Sequence, residues 1–113
     1  MKLILAIIRP DKLDAVKDAL VACGIHGVTV SSVSGFGNQL GHTEVYRGVK
    51  VEARFLPKTM LTLLVGDGLV APVKAAIRDS AMTGEIGDGK IIVLAVEDAM
   101  RIRTGESGEE SLG

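Results

Sequence analysis

Apolar residues switch between a continuous and a helical spacing along this chain, and the order of those switches leaves few folds open. Residues 2–9 (KLILAIIR) are a continuous apolar run ending at Pro10, which reads as a strand buried on both faces. Asp11 then stands where a helix cap is expected, Leu13, Val16, Leu20 and Cys23 recur at helical spacing, and Gly24 closes the segment. Extended character returns from Val28 to Phe36, and residues 58–65 (KTMLTLLV) form a third apolar strand. Gly66-Asp67-Gly68 turns the chain into a second helical stretch, where Val70, Val73, Ile77 and Ala81 share a face and Pro72 falls in the first turn. Residues 91–96 (IIVLAV) supply the fourth strand, and the last dozen residues, rich in Gly, Glu and Ser, read as a mobile tail. The order βαββαβ is that of an α+β, ferredoxin-like domain.

With 113 residues there is room for one such domain, residues 1–113, and no second core. Thirteen Lys and Arg against fourteen Asp and Glu give a net charge of −1, so no global field draws in a phosphate polymer. Aromatics are only 3%, which removes the stacking platforms of single-strand binders, and nucleic acid is excluded as a general partner. Cys23 is the sole cysteine, so no intrachain disulfide forms, and a reducing, cytoplasmic setting is expected. The apolar opening is too short for a signal peptide or a membrane span, so direct membrane insertion is not expected. Fourteen Gly and few bulky side chains make the core thin, which favours an oligomer.

Residues 37–57 separate the second and third strands with no helical or strand period of their own, and long loops in small domains are usually functional. Gly84-Glu85-Ile86-Gly87-Asp88-Gly89-Lys90 fits GxxxxGK, but Ile91 replaces the hydroxyl that holds Mg²⁺, and the segment leaves a helix and enters a strand. It is therefore not a P-loop. Its glycines still let backbone N–H groups converge on an anion beside Lys90; a tight helix-to-strand connection explains the same residues about as well. Arg101 and Arg103, read as i and i+2 of an extended segment, can converge on one anion, or can form a solvated pair answering Glu97, Asp98 and Glu106. Together with residues 87–90 they favour phosphate. Gly35-Phe36-Gly37 begins a GxGxxG pattern that Leu40 breaks, and Gln39 could offer an oxygen to a metal. Cys23, His26 and His42 lack ligand spacing, and Cys23 falls on the apolar helix face, so core packing is its better reading. No Ser or Cys has a plausible His partner, and catalysis is not expected.

Tyr46-Arg47-Gly48, then Phe55-Leu56-Pro57-Lys58, then residues 83–91 (TGEIGDGKI), then Arg101-Ile102-Arg103-Thr104-Gly105 resemble the signatures of the PII nitrogen-regulatory family, in order and through nearly the whole chain. The resemblance implies a compact homotrimer of ferredoxin-like subunits with a site for ATP or ADP in each cleft between neighbours. Residues 37–57 would be the family's T-loop, 83–90 its B-loop, and 101–113 its C-terminal loop. Phosphates would be held by the amides of Gly87, Asp88 and Gly89, by Lys90, and by Arg101 and Arg103. Nucleotide contacts are implied further at Ile7, Gly27, Thr29 and Leu64, and at Gly35, Phe36, Gly37, Asn38 and Gln39. Mg²⁺ would be held by the phosphates, by Gln39 and by 2-oxoglutarate or another small anion, with Gln39, Gly41 and Lys58 as effector-binding residues. Tyr46, Arg47, Gly48, Val49, Lys50 and Val51 would meet a target, either a membrane transporter or a metabolic enzyme, so that the protein could be recruited to the membrane by its partner.

Two departures from the family pattern matter. Val51 stands where many members carry the tyrosine that is nucleotidylylated, and Val49 where others carry a phosphorylated serine, so neither modification is available. Asn38 replaces an arginine that commonly helps bind phosphate, which shifts the expectation toward ADP or toward a different effector. The resulting expectation is a non-enzymatic signal protein read out through its T-loop. The alternatives are a slow ATPase in the same cleft and a regulator of a bicarbonate or metal transporter rather than an ammonium channel. A metal-binding trimer of similar shape is a further class, disfavoured by the missing ligand spacing.

Overall fold

The computed structural model describes residues 1–37 and 54–112, and the backbone alone at 45–46 and 49–50. Strand β1 (Lys2–Ile8) leads through a single 3₁₀ turn at Pro10–Lys12 into helix α1 (Leu13–Ala22). Strand β2 (Thr29–Gly35) follows, then two short strands, β3 (Val45–Tyr46) and β4 (Val49–Lys50), then β5 (Leu56–Val65). Helix α2 (Val70–Ala81) and strand β6 (Gly89–Ala95) complete the core. The four long strands form one antiparallel sheet in the order β2-β5-β1-β6, and the two helices lie side by side against it. This is the ferredoxin-like order expected from the sequence.

Both helices cover the same face of the sheet. Ile4, Ala6 and Ile8 of β1 and Leu61, Leu63 and Val65 of β5 point into it and are 0–3% exposed, packed with Val16, Leu20, Val73, Ile77 and Ala81 from the helices. Burying each of the Ile, Leu and Val side chains among them contributes about 1.5–3 kcal/mol. The expectation that β1 is buried on both faces is corrected: Leu3, Leu5 and Ile7 alternate with the core residues and are half-buried, because no element among the described residues covers the second face. Register places Ile92 and Leu94 on that uncovered face, opposite Leu5 and Leu3, where they are 36% and 44% exposed.

Four further readings change. Asp11 makes no side-chain cap, because it sits inside the 3₁₀ turn, whose N-cap is Arg9, while the N-cap of α1 is Lys12. Cys23 is half-buried at the end of α1, its thiol 3.9 Å from the Pro72 carbonyl, and not part of the core cluster. The loop does hold strand structure, since β3 pairs antiparallel with β4; two residues in each strand are too few for a period to register. The last dozen residues are ordered by a bridge from Met100 to Ser107 and a 3₁₀ helix at Gly108–Leu112. That helix rests by Leu112 and Glu109 near Gly66.

Candidate functional site

Register decides which predicted residues can meet. On the uncovered face Ile7 stands opposite Lys90 on one side and Met60 on the other, Lys58 opposite Val33, and Gly35 opposite Leu56. A cleft of about 500 Å³ opens there, lined by Ile7, Gly35, Phe36, Gly37, Lys58, Gly87, Gly89 and Lys90 together with Ile86 and Ile92. Phe36 and Phe55 stack edge to face near it, with ring centroids 5.0 Å apart. An apolar floor with two lysines at its edge suits a ligand with a flat body and an anionic end.

The loop between α2 and β6 takes its shape from one carboxylate. Asp88 accepts hydrogen bonds from the Thr83 and Gly84 backbone N–H groups at 2.8 and 2.9 Å, from the Thr83 hydroxyl, and from Arg9 Nε at 2.9 Å. These donors, the Thr83 hydroxyl foremost and then Arg9, hold its pKa well below the usual carboxylate range. The same Arg9 donates from Nη2 to the Ile86 carbonyl at 2.8 Å, and Lys58 Nζ donates to the Gly87 carbonyl at 2.6 Å. In a trans peptide the N–H points opposite the C=O, so the Gly87 and Asp88 N–H groups face away from these two cations.

Glycine is required at both ends of this brace. Gly87 has φ +103°, and a Cβ there would lie 3.3 Å from Arg9 Nη2. Gly89 has φ +106°, and a Cβ would fall 1.7 Å from the Ile7 carbonyl oxygen, inside the strand pair. Gly89 and Lys90 therefore belong to β6, which starts two residues earlier than the apolar run suggested.

Other predicted residues lie apart. Gly27 and Leu64 line a separate hollow of about 520 Å³, with Ser111 and Leu112 on its wall. Thr29 opens β2 opposite Thr62. Arg101 and Arg103 do not sit on one extended face: residues 102–104 form a turn, closed by the Gly105 N–H on the Arg101 carbonyl at 2.8 Å and by the Thr104 hydroxyl accepting the Glu106 N–H at 3.2 Å. The Arg101 side chain reaches the Ser111 carbonyl at 3.2 Å and Glu106 at 3.8 Å, while Arg103 is exposed. Asn38, Gln39, Gly41, Arg47, Gly48 and Val51 lie outside the described residues, and of Tyr46, Val49 and Lys50 only the backbone pairing is described. Sequence alone does not single out Arg9. Its partner is 79 positions away, and no local pattern marks it.

Comparison with known proteins yields one family. The family model for nitrogen regulatory protein P-II matches residues 1–106. Nitrogen regulatory protein P-II of Rhizobium etli is 52% identical over 112 residues, covering 99% of this chain and 100% of that protein. Its counterpart from Rhodospirillum rubrum is 53% identical over the same shares. Nitrogen regulatory protein P-II 2 of Methanothermobacter thermautotrophicus is 53% identical, over 99% of this chain and 97% of that protein.

Proposed function

This chain belongs to the P-II family of nitrogen-regulatory signal-transduction proteins, and on that premise we propose that it senses adenine nucleotides in a cleft between subunits and reports their state through residues 37–57. The observation that carries the reading is the cleft on the uncovered sheet face, where Gly87, Gly89 and Lys90 meet Lys58 and Phe36. ATP or ADP lies there with its phosphates toward loop 83–90. The apolar stripe of Leu3, Leu5, Ile92 and Leu94 packs against two further copies in a homotrimer, and Arg101 and Arg103 of a neighbouring copy close the cleft over the phosphates.

A small dianion such as 2-oxoglutarate pairs with Lys58 and, with Gln39, shares a Mg²⁺ with ATP. The loop then shifts among its conformations only as far as the ligand's differential contacts allow, and it binds or releases a transporter or metabolic enzyme accordingly. Asn38 donates a single amide hydrogen bond where an arginine would offer a charged fork, so ATP and ADP bind alike until a second ligand arrives. The relatives carry names of regulators, and the same cleft serves as a switch rather than as a slow ATPase.

Calorimetric titration with ADP, ATP and Mg-ATP, with and without 2-oxoglutarate and bicarbonate, tests this. Binding of both nucleotides, with ATP strengthened only by Mg²⁺ and an anion together, is expected. Failure of both nucleotides to bind refutes the reading; ATP binding much tighter than ADP alone refutes the role of Asn38.

A further inference from the structure

Loop 83–88 reaches its anion-ready shape with the help of a residue that lies outside the loop. We propose that Arg9 is a positioning residue for the nucleotide phosphates, acting through Asp88 and the Ile86 carbonyl rather than by touching the phosphate. The inference rests on the nucleotide reading above.

Arg9 follows β1 directly and precedes Pro10, whose ring limits the conformations open to it, and its own backbone is extended at φ −65° and ψ 138°. The side chain is thus launched from the end of one of the sheet's two inner strands. Its Nε and Nη2 form one edge of the guanidinium, and that edge is fully engaged, by Asp88 Oδ1 at 2.9 Å and the Ile86 oxygen at 2.8 Å. One planar group therefore fixes two loop positions at a set separation, which an ammonium cannot do. The pair is partly shielded, with side-chain exposures of 30% for Arg9 and 24% for Asp88.

Two consequences separate this role from that of a phosphate ligand. The charge of Arg9 is matched by Asp88 at contact distance, so the pair adds little net field at a bound phosphate, whereas Lys90 adds a full charge. The Gly87 N–H faces away from Arg9 because the Ile86 carbonyl faces toward it. Releasing Arg9 frees that peptide to turn, and an anion then meets a loop that must be ordered on binding. Gly87 fits the same account, since a side chain there would press on Arg9 Nη2 at 3.3 Å.

The test is a double-mutant cycle in the full chain. Arg9→Met, which keeps a stem without the charge, lowers ADP affinity about tenfold, as expected for a lost charge-assisted contact. On an Asp88→Ala background the same change costs about threefold or less, because only the contact with the Ile86 carbonyl remains to be lost. Arg9→Lys, able to hold one of the two acceptors, recovers part of the loss; the double variant Arg9→Met/Asp88→Ala, which removes both charges of the pair, keeps the parent's dependence of ADP binding on salt, whereas Lys90→Met reduces it. Equal losses in both backgrounds, or a reduced salt dependence in the double variant Arg9→Met/Asp88→Ala, overturn the proposal in favour of a direct phosphate ligand. Amide exchange in ligand-free protein decides the brace independently: residues 84–88 exchange faster in Arg9→Met while β1 and α1 do not change. Unchanged exchange at 84–88 overturns the proposal even where ADP binds, and a parent protein that binds no nucleotide yet shows the exchange effect separates failure of the nucleotide reading from failure of the brace.

Discussion

Segments 83–88 and 100–107 are the two turns of this molecule that carry the residues expected to meet phosphate, and they are built in opposite ways. The first is fastened to the sheet from outside: Asp88 is held by Arg9 from the end of β1, and the Gly87 carbonyl by Lys58 from β5. The second is closed by its own backbone, through the Arg101 N–H on the Glu106 carbonyl at 2.8 Å and the Gly108 N–H on the Ala99 carbonyl at 2.9 Å. Its tip stands in solvent, with Ile102 98% exposed. A loop braced by the sheet can present a fixed array of amides to a ligand in its own cleft. A self-closed finger can carry its charge away from its own subunit, which is what a site shared between copies needs.

The largest effect is expected where the braced loop enters β6. Gly89→Ala places a Cβ against the Ile7 carbonyl at a positive φ, which only a shift of backbone can relieve, and a loss of about 4 kcal/mol or outright failure to fold is expected in thermal or urea unfolding. Next is acid. Because the folded pKa of Asp88 lies below its unfolded value of about 4, its contribution is complete above that pH and is lost as the pH falls below it toward the folded value. Protection of the Thr83 and Gly84 amides, read by hydrogen exchange, should therefore hold from pH 7 to 5 and fall below about pH 4; in Asp88→Asn that fall should vanish, and its persistence there would assign it to another group.

On the finger the effects move from folding to binding. Arg103→Ala should leave the unfolding midpoint unchanged and weaken ADP and ATP by about ten- to a hundredfold, or roughly 1.5–3 kcal/mol, in calorimetry. Equal affinity in that variant would remove segment 100–107 from the site. Smallest are Gly105→Ala, where φ is +75° in open space and strain of about 1 kcal/mol is the only cost, and Ile102→Ala, expected within about 0.5 kcal/mol of the parent in stability. If Gly105→Ala proved as damaging as Gly89→Ala, the contrast between the two turns would be wrong.

What could be read from sequence follows the same division. Helix α2 and strand β1 announce themselves because Val73, Ile77 and Ala81, or a run of aliphatics, are local patterns. The glycines and Lys90 are local too, and their spacing can be read without a fold. Arg9 was invisible because its meaning depends on a contact across most of the chain. Alternation alone leaves the segment of Arg101 and Arg103 straight, whereas Thr104-Gly105 bends it. An apolar run also reads the same whether its second face meets the chain's own helices or another copy, so the half-exposure of Leu3, Leu5 and Ile7 had no signature.

Strand β1 interleaves two tasks at single-residue spacing: Ile4, Ala6 and Ile8 hold the helices, while Leu3, Leu5 and Ile7 face the side that carries the cleft. Substitution can therefore retune the cleft side without disturbing the core, and variation among descendants of this chain can proceed on one set while the other stays still. An inserted or deleted residue within the strand has no such freedom, since it exchanges the two sets at one stroke and points each at the other's neighbours. In lineage terms, β1 can drift in letters but not in length.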